Sequence, residues 1–291
     1  MYNLLFRSTL GWQHLRLVAR VYHVSIAFYQ TKRKTTYLQL FSKIKERVGA
    51  PNRLTTIITD FELAVFKACD IVFPDVQHKG CRFHHNAAVW KNLGAHKLQS
   101  LFYQNSRFQE LIYSLYSLCY VPSDRVNEYY HEVITKLVDD GEEKDEEWED
   151  YQEEINAFGS YYRTTWIEKR GGRGALFKPE LWNQYATVLE GGLETNNMLE
   201  SFNRTWNSLS GYSPNVFAIQ ELFVKQDAEA RRAYLSNAVG LDMATNSGRK
   251  QRSKDSRQRV KFVVEAFHTM PKAEYIQTLA HDLQQKINND K

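Results

Sequence analysis

Apolar and polar positions change period several times along the chain, and each change marks an element. Over residues 1–28 the pattern of Val18, Val21, Val24 and Ile26, with Tyr22 and Phe28, predicts strands that end at a polar turn, Gln30–Lys34. Over Thr36–Val48, Leu38, Phe41, Ile44 and Val48 then recur at helical spacing and predict a helix. Leu54–Thr59 is a short β-branched run after a Pro51–Asn52 turn, so it predicts a strand with Asp60 at its C-terminal end. Phe61, Ala64, Val65, Ala68 and Val72 predict an amphipathic helix closed by Pro74. A short segment, Val76–Gly80, leads to Cys81 and to a helix expected over Asn86–Leu98.

The strand–helix alternation then stops, and residues 101–189 are mostly helical in pattern. A helical block inside an α/β domain reads as an insertion. After Gly191–Gly192, the apolar positions Leu199, Phe202, Trp206 and Leu209 predict a helix from Thr195 to about Ser210, and Val216–Val239 predicts another. Asn246–Gln258 is polar and basic and is expected to be disordered, with helices over Val260–His268 and Ala273–Ile287. The expected organisation is therefore an α/β core (1–98), a helical insertion (99–190), a return to the core (191–245), and a basic linker with C-terminal helices (246–291).

Composition narrows the function classes. No apolar run approaches the ~20 residues of a membrane helix, and the N-terminal stretch is broken by Arg7, Gln13, His14 and Arg16. Three cysteines are too few for a disulfide framework. These features predict a soluble intracellular protein. The net charge of +4 hides a segregation. Asp139–Glu154 carries −10, leaving +14 elsewhere, and Arg249–Lys261 carries +6. A basic body favours nucleic-acid phosphates, with Arg249, Lys250, Arg252 and Lys254 as candidate contacts. The acidic run reads as solvated surface or as a contact tail.

Three sets of residues carry candidate chemistry. At a strand's C-terminal end, Asp60 either holds a Mg²⁺ ion or caps the helix that follows. On a helix, Asn196, Glu200, Asn203 and Asn207 share one face, a carboxylate among amides that suits a metal or phosphate, or simply a solvated face. Cys81 and His84 have the spacing of half a zinc site, with His78, His85, His96 and His131 as the nearest spare ligands. Cys81 reads equally well as a small buried residue.

These motifs in this order resemble Mutator-like (MULE) transposases, DDE-type enzymes of the ribonuclease H-like superfamily. The resemblance rests on Thr59-Asp60-Phe61-Glu62, Val72-Phe73-Pro74, Gly80-Cys81-Arg82-Phe83-His84 with Trp90, Leu181-Trp182-Asn183, and Thr195-Asn196-Asn197 through Glu200-Ser201 to Asn203. It spans roughly residues 20–225. It implies a ribonuclease H-like fold with a helical insertion, Asp60 and Glu200 as second and third catalytic carboxylates, and Cys81 and His84 as the family's Cys-x-x-His pair. It further implies Mg²⁺ or Mn²⁺ as cofactor, Zn²⁺ as a further candidate, two-metal phosphoryl transfer in DNA transposition and recombination, DNA as partner, self-association and a nuclear location. Neither a membrane nor a small-molecule substrate is expected.

The pattern fails at its first carboxylate. The first acidic residue of the chain is Glu46, and the closest match to the family's Asp-Gly-Thr-Phe-like segment puts Asn3 in the Asp position. A neutral amide oxygen is a weaker Mg²⁺ ligand. The sequence therefore predicts a catalytically impaired element copy. A domesticated DNA-binding or protein-interaction factor is the alternative, as is a chain whose missing Asp lies in an unread upstream exon.

Overall fold

The computed structural model describes residues 2–8, 14–19, 23–28, 33–48, 54–134, 146–168, 174–192, 194 and 248–289, with isolated positions between 221 and 232. It is a mixed α/β protein that divides into two compact units. One comprises 1–81 with 195–245, the other 82–194 with 246–291. Among the described residues no helix is long and apolar enough to cross a membrane.

The first unit holds a five-stranded sheet of order β3-β2-β1-β4-β5. β1 (Tyr2–Ser8), β2 (His14–Ala19) and β3 (His23–Phe28) form an antiparallel meander. β4 (Leu54–Thr59) runs parallel to β1, and β5 (Gln77–Gly80) runs parallel to β4. Parallel neighbours need crossover connections. Helix α1 (Lys34–Val48) precedes β4, and α2 (Leu63–Val72) joins β4 to β5. The two helices share a core in which Tyr37, Phe41 and Ile44 meet Val65, Ala68 and Cys69 around Ile57 of β4. Ile57 and Ile58 are both buried, as expected of a parallel strand covered on both faces. Each such side chain contributes roughly 1.5–3 kcal/mol by leaving water. Lys45 Nζ donates to the Val72 carbonyl at 2.7 Å, which ties α1 to the end of α2.

The second unit is helical. Helices α3 (Arg82–Ala95), α4 (Gln99–Gln104) and α5 (Ser106–Ser117) are followed by a 3₁₀ turn, Leu118–Tyr120. Next come α6 (Val126–Tyr129) with a π-helical continuation, Tyr130–Ile134, then α7 (Glu146–Glu149) and α8 (Gln152–Tyr162), which continues as a second π-helical turn, Arg163–Ile167. Short helices α9 (Pro179–Trp182) and α10 (Tyr185–Leu189) precede the C-terminal pair α11 (Gly248–Glu265) and α12 (Lys272–Asn289).

Three expectations change. The segment expected to be disordered, 246–258, is helical from Gly248 onward. Val260, Val263, Val264 and Phe267 are buried, so packing of the last turns extends the helix back through a polar stretch whose composition gives no sign of it. The acidic run is not a free tail over 146–154. Trp148 lies 8% exposed, meets Phe108 edge-on and donates its indole N–H to Asn105 Oδ1 at 3.1 Å. Finally, α3 begins at Arg82, four residues before the expected start. The helices expected over Thr195–Ser210 and Val216–Val239 lie outside the described residues, apart from isolated positions.

Aromatic packing organises the helical unit. Trp166 and Trp182 are fully buried, and the Trp182 indole donates to the carbonyls of Trp166 and Phe177. His85 stacks on Trp182 at 5.0 Å, meets the Trp166 ring at 4.5 Å, and has no exposed surface. Burial lowers its pKa to about 4 from 6.5, so the neutral ring is the native form. A base whose pKa is depressed by folding contributes its full stability above about pH 6.5 and loses it as the pH falls toward 4. Urea unfolding followed by tryptophan fluorescence should therefore show a loss between pH 7 and pH 4.5 that is smaller by roughly 2–3 kcal/mol in His85→Phe than in the parent. Parallel pH dependence in the two proteins would show that His85 is not the titrating group.

Candidate active site

The corner between β4 and α2 positions Asp60. β4 ends at Thr59, and the helix N-cap is Glu62, which makes no side-chain cap. The capping alternative for Asp60 is thus corrected, since the cap position lies two residues further on. The corner is tightened by a 2.9 Å bond from the Glu62 amide to the Asp60 carbonyl. Tyr37 OH donates to Glu62 Oε1 at 2.8 Å, which fastens the corner to α1.

Both neighbours of Asp60 are fixed. Thr59 has no exposed surface, and its Oγ1 lies 2.7 Å from His78 Nε2 on β5. Its carbonyl accepts from the Cys81 amide at 2.8 Å. On the other side, the Phe61 ring lies on Gly80, where an added Cβ would sit 2.2 Å from the ring's Cζ. Phe61 stacks with Phe66, which stacks in turn with His78 at 4.2 Å. Burial lowers the His78 pKa to about 3, so this ring is neutral. Asp60 itself is half-buried, at the C-terminal edge of a parallel strand where open α/β sheets place ligands.

The remaining candidates fall into place unevenly. Asn3 lies on β1 opposite Thr56, four residues short of Asp60, or about 13 Å along the strand at ~3.3 Å per residue. Asn3 is therefore corrected as the stand-in for the first carboxylate, and β1 carries no Asp or Glu at all. Glu200 and its amide neighbours lie outside the described residues.

Cys81 has no exposed surface, and the ring of His84 meets Phe83 edge-on at 5.4 Å. Three of the four suggested spare ligands, His78, His85 and His131, are engaged elsewhere. His78 and His85 are packed as above, and His131 Nε2 lies 3.3 Å from Glu168. Among the described residues no cluster of three or more His, Cys, Asp or Glu side chains could hold a metal. Zinc at Cys81 and His84 thus has no third donor in the described part of the chain. Arg249, Lys250, Arg252 and Lys254 lie on α11, with exposed Arg257 and Arg259 further along it.

Sequence reasoning missed the contacts that hold Asp60: Gly80 beneath Phe61, His78 against Thr59, and Tyr37 to Glu62. A glycine ending β5 beside an aromatic corner was the available signal.

Residues 6–88 match the family model of the MULE transposase domain. That stretch, which contains Asp60, Cys81 and His84, is a Mutator-like transposase domain. Divalent-metal dependence and interaction with DNA are what this family supports in general. No curated protein and no solved structure matches the chain.

Filling the space under Phe61 should disturb the corner. Gly80→Ala is expected to destabilise by about 1–3 kcal/mol, the usual range for overpacking, and to cost less in a Phe61→Leu background. A double-mutant cycle by urea unfolding measures the coupling; additive effects would show that the ring does not hold the corner.

Proposed function

We propose that the chain is a MULE-derived transposase core of ribonuclease H-like type. In this reading it binds DNA and keeps two carboxylates, Asp60 and Glu200, of a divalent-metal site without completing a two-metal cleavage centre. The carrying observation is β1. This strand pairs in parallel with β4 and has no carboxylate. Support for the ribonuclease H-like fold comes from the sheet order, an antiparallel meander β1–β3 extended beyond β1 by the parallel strands β4 and β5.

Mg²⁺ or Mn²⁺, when bound, would supply charge stabilisation for the attacking and leaving oxygens of a phosphodiester. The fit rests on hard oxygen donors. Asp60 offers one from a corner fixed on both sides, and Glu200 would offer the second. Two cations held ~4 Å apart need a bridging carboxylate between them. Without it the close pair is not held together, and strand cleavage and transfer fail while DNA contacts persist. Those contacts would come from the basic helix α11, including Arg249, Lys250, Arg252 and Lys254, in a nuclear protein able to self-associate.

The second reading is a domesticated, non-enzymatic nuclear DNA-binding or protein-interaction factor. The exposed arginines Arg257 and Arg259 on the structured α11 favour the DNA-binding form of it.

Both readings are tested on purified protein with Mg²⁺ or Mn²⁺. DNA binding should weaken steeply with salt, remain unchanged in Asp60→Ala, and be accompanied by no detectable strand transfer. Robust strand transfer that Asp60→Ala abolishes would overturn the impairment. Absence of DNA retention at low salt would overturn the DNA-binding role.

A further inference from the structure

Within the helical unit, α5, α8 and the two π-helical turns line a partly open cavity of about 280 Å³. Its wall is apolar. Leu111 and Leu115 come from α5, Ile134 from the first π-helical turn, and Ile155 and Phe158 from α8. Tyr130 and Tyr162 add a flat aromatic side, with ring planes 12° apart and centroids 6.1 Å apart. An apolar cavity of ~150 Å³ suffices to hold a benzene ring. This one is roughly twice as large, which suits a body of about two fused rings.

The chain keeps this space open at a cost to its own helices. Gly159 lines the cavity from within α8, and a Cβ built on it meets nothing within 4 Å. Glycine is a poor residue for a helix interior, and no close neighbour requires it at this position. What its missing side chain leaves is the cavity itself. The two π-helical turns contribute as well, Tyr130–Ile134 through Tyr130 and Ile134 and Arg163–Ile167 through Arg163. Such turns interrupt regular helical bonding and recur at functional sites.

Arg163 sets the charge of the occupant. Its partly buried side chain has no ion-pair or hydrogen-bond partner among the described residues. It lies near enough to Tyr130 to oppose the rise that burial gives the phenol's pKa, a rise to which Glu168 adds. Glu168 faces His131 at 3.3 Å. The described lining holds no carboxylate, so a guanidinium borders an apolar slot without an anion of its own.

We propose that this cavity is a binding site for a compact aromatic carboxylate, whose rings fill the apolar slot beside Tyr130 and Phe158 and whose carboxylate is held by Arg163. A planar guanidinium matches a carboxylate with two parallel hydrogen bonds. No residue of the Asp60 corner takes part, so the site is separate from the metal chemistry proposed above.

The probe is naphthoate, titrated into the full chain and followed by saturation-transfer nuclear magnetic resonance. Its neutral counterpart, naphthylmethanol, should bind about tenfold more weakly, the difference expected of a charged hydrogen-bond partner. Arg163→Gln should bring naphthoate down to the affinity of the alcohol and leave the alcohol unchanged. Gly159→Leu should abolish binding of both probes and raise the melting temperature, because leucine favours a helix and enters open space. Gly159→Ala, a smaller intrusion, should keep the fold and weaken both probes. Absence of naphthoate binding to the parent at millimolar concentration overturns the site. Unchanged affinity in Gly159→Ala and Gly159→Leu overturns its location, and equal affinity of acid and alcohol in the parent overturns the role of Arg163.

Discussion

The packing of Phe61 on Gly80 is the constraint on which the candidate site depends. Asp60 lies where a strand has ended and a helix has not begun, so the regular hydrogen-bond ladder of neither element fixes it. Its position comes from its neighbours. Thr59 is held by His78 and by the Cys81 amide, and Phe61 by a glycine that leaves room for the ring. Any side chain at position 80 would push the ring away and take the corner with it. The parallel pairing of β4 with β5 brings Gly80 and Thr59 side by side, so the sheet itself delivers the glycine to the aromatic ring.

The same edge of the sheet explains both the resemblance and its failure. A phosphoryl-transfer centre of this type needs carboxylates from adjoining strands to share cations. β4 delivers Asp60 to its C-terminal end. β1, its parallel neighbour, delivers no carboxylate at any position. In the helical unit, His85 stacks on Trp182 beside Trp166, and Tyr120 OH donates to Glu194 Oε2.

Much of the first unit was legible in the sequence because its elements carry strong periodic signals. β4 was read with its observed limits, α1 began two residues before the expected start, and Asp60 lay at the strand end as expected. Other features were hidden because they arise between distant residues. Glycine at position 80 gives no local sign that an aromatic ring nineteen residues earlier lies on it. Trp148 is an isolated apolar residue in an acidic run, so charge density masked its anchor on Phe108 and Asn105. Helix α11 looked disordered because its first turns are polar and basic, and only burial of Val260, Val263 and Val264 makes it a helix. Asn3 was matched to the missing carboxylate by motif similarity alone; strand register, which pairs it with Thr56, is not readable from one chain's sequence.

The central claim is that Asp60 belongs to a metal site lacking its bridging ligand, and calorimetric titration of Mn²⁺ into the purified protein tests it most directly. The account predicts weak binding of a single ion per chain that disappears in Asp60→Asn and in Glu200→Gln. Binding of two ions per chain, or binding untouched by Asp60→Asn, would contradict it.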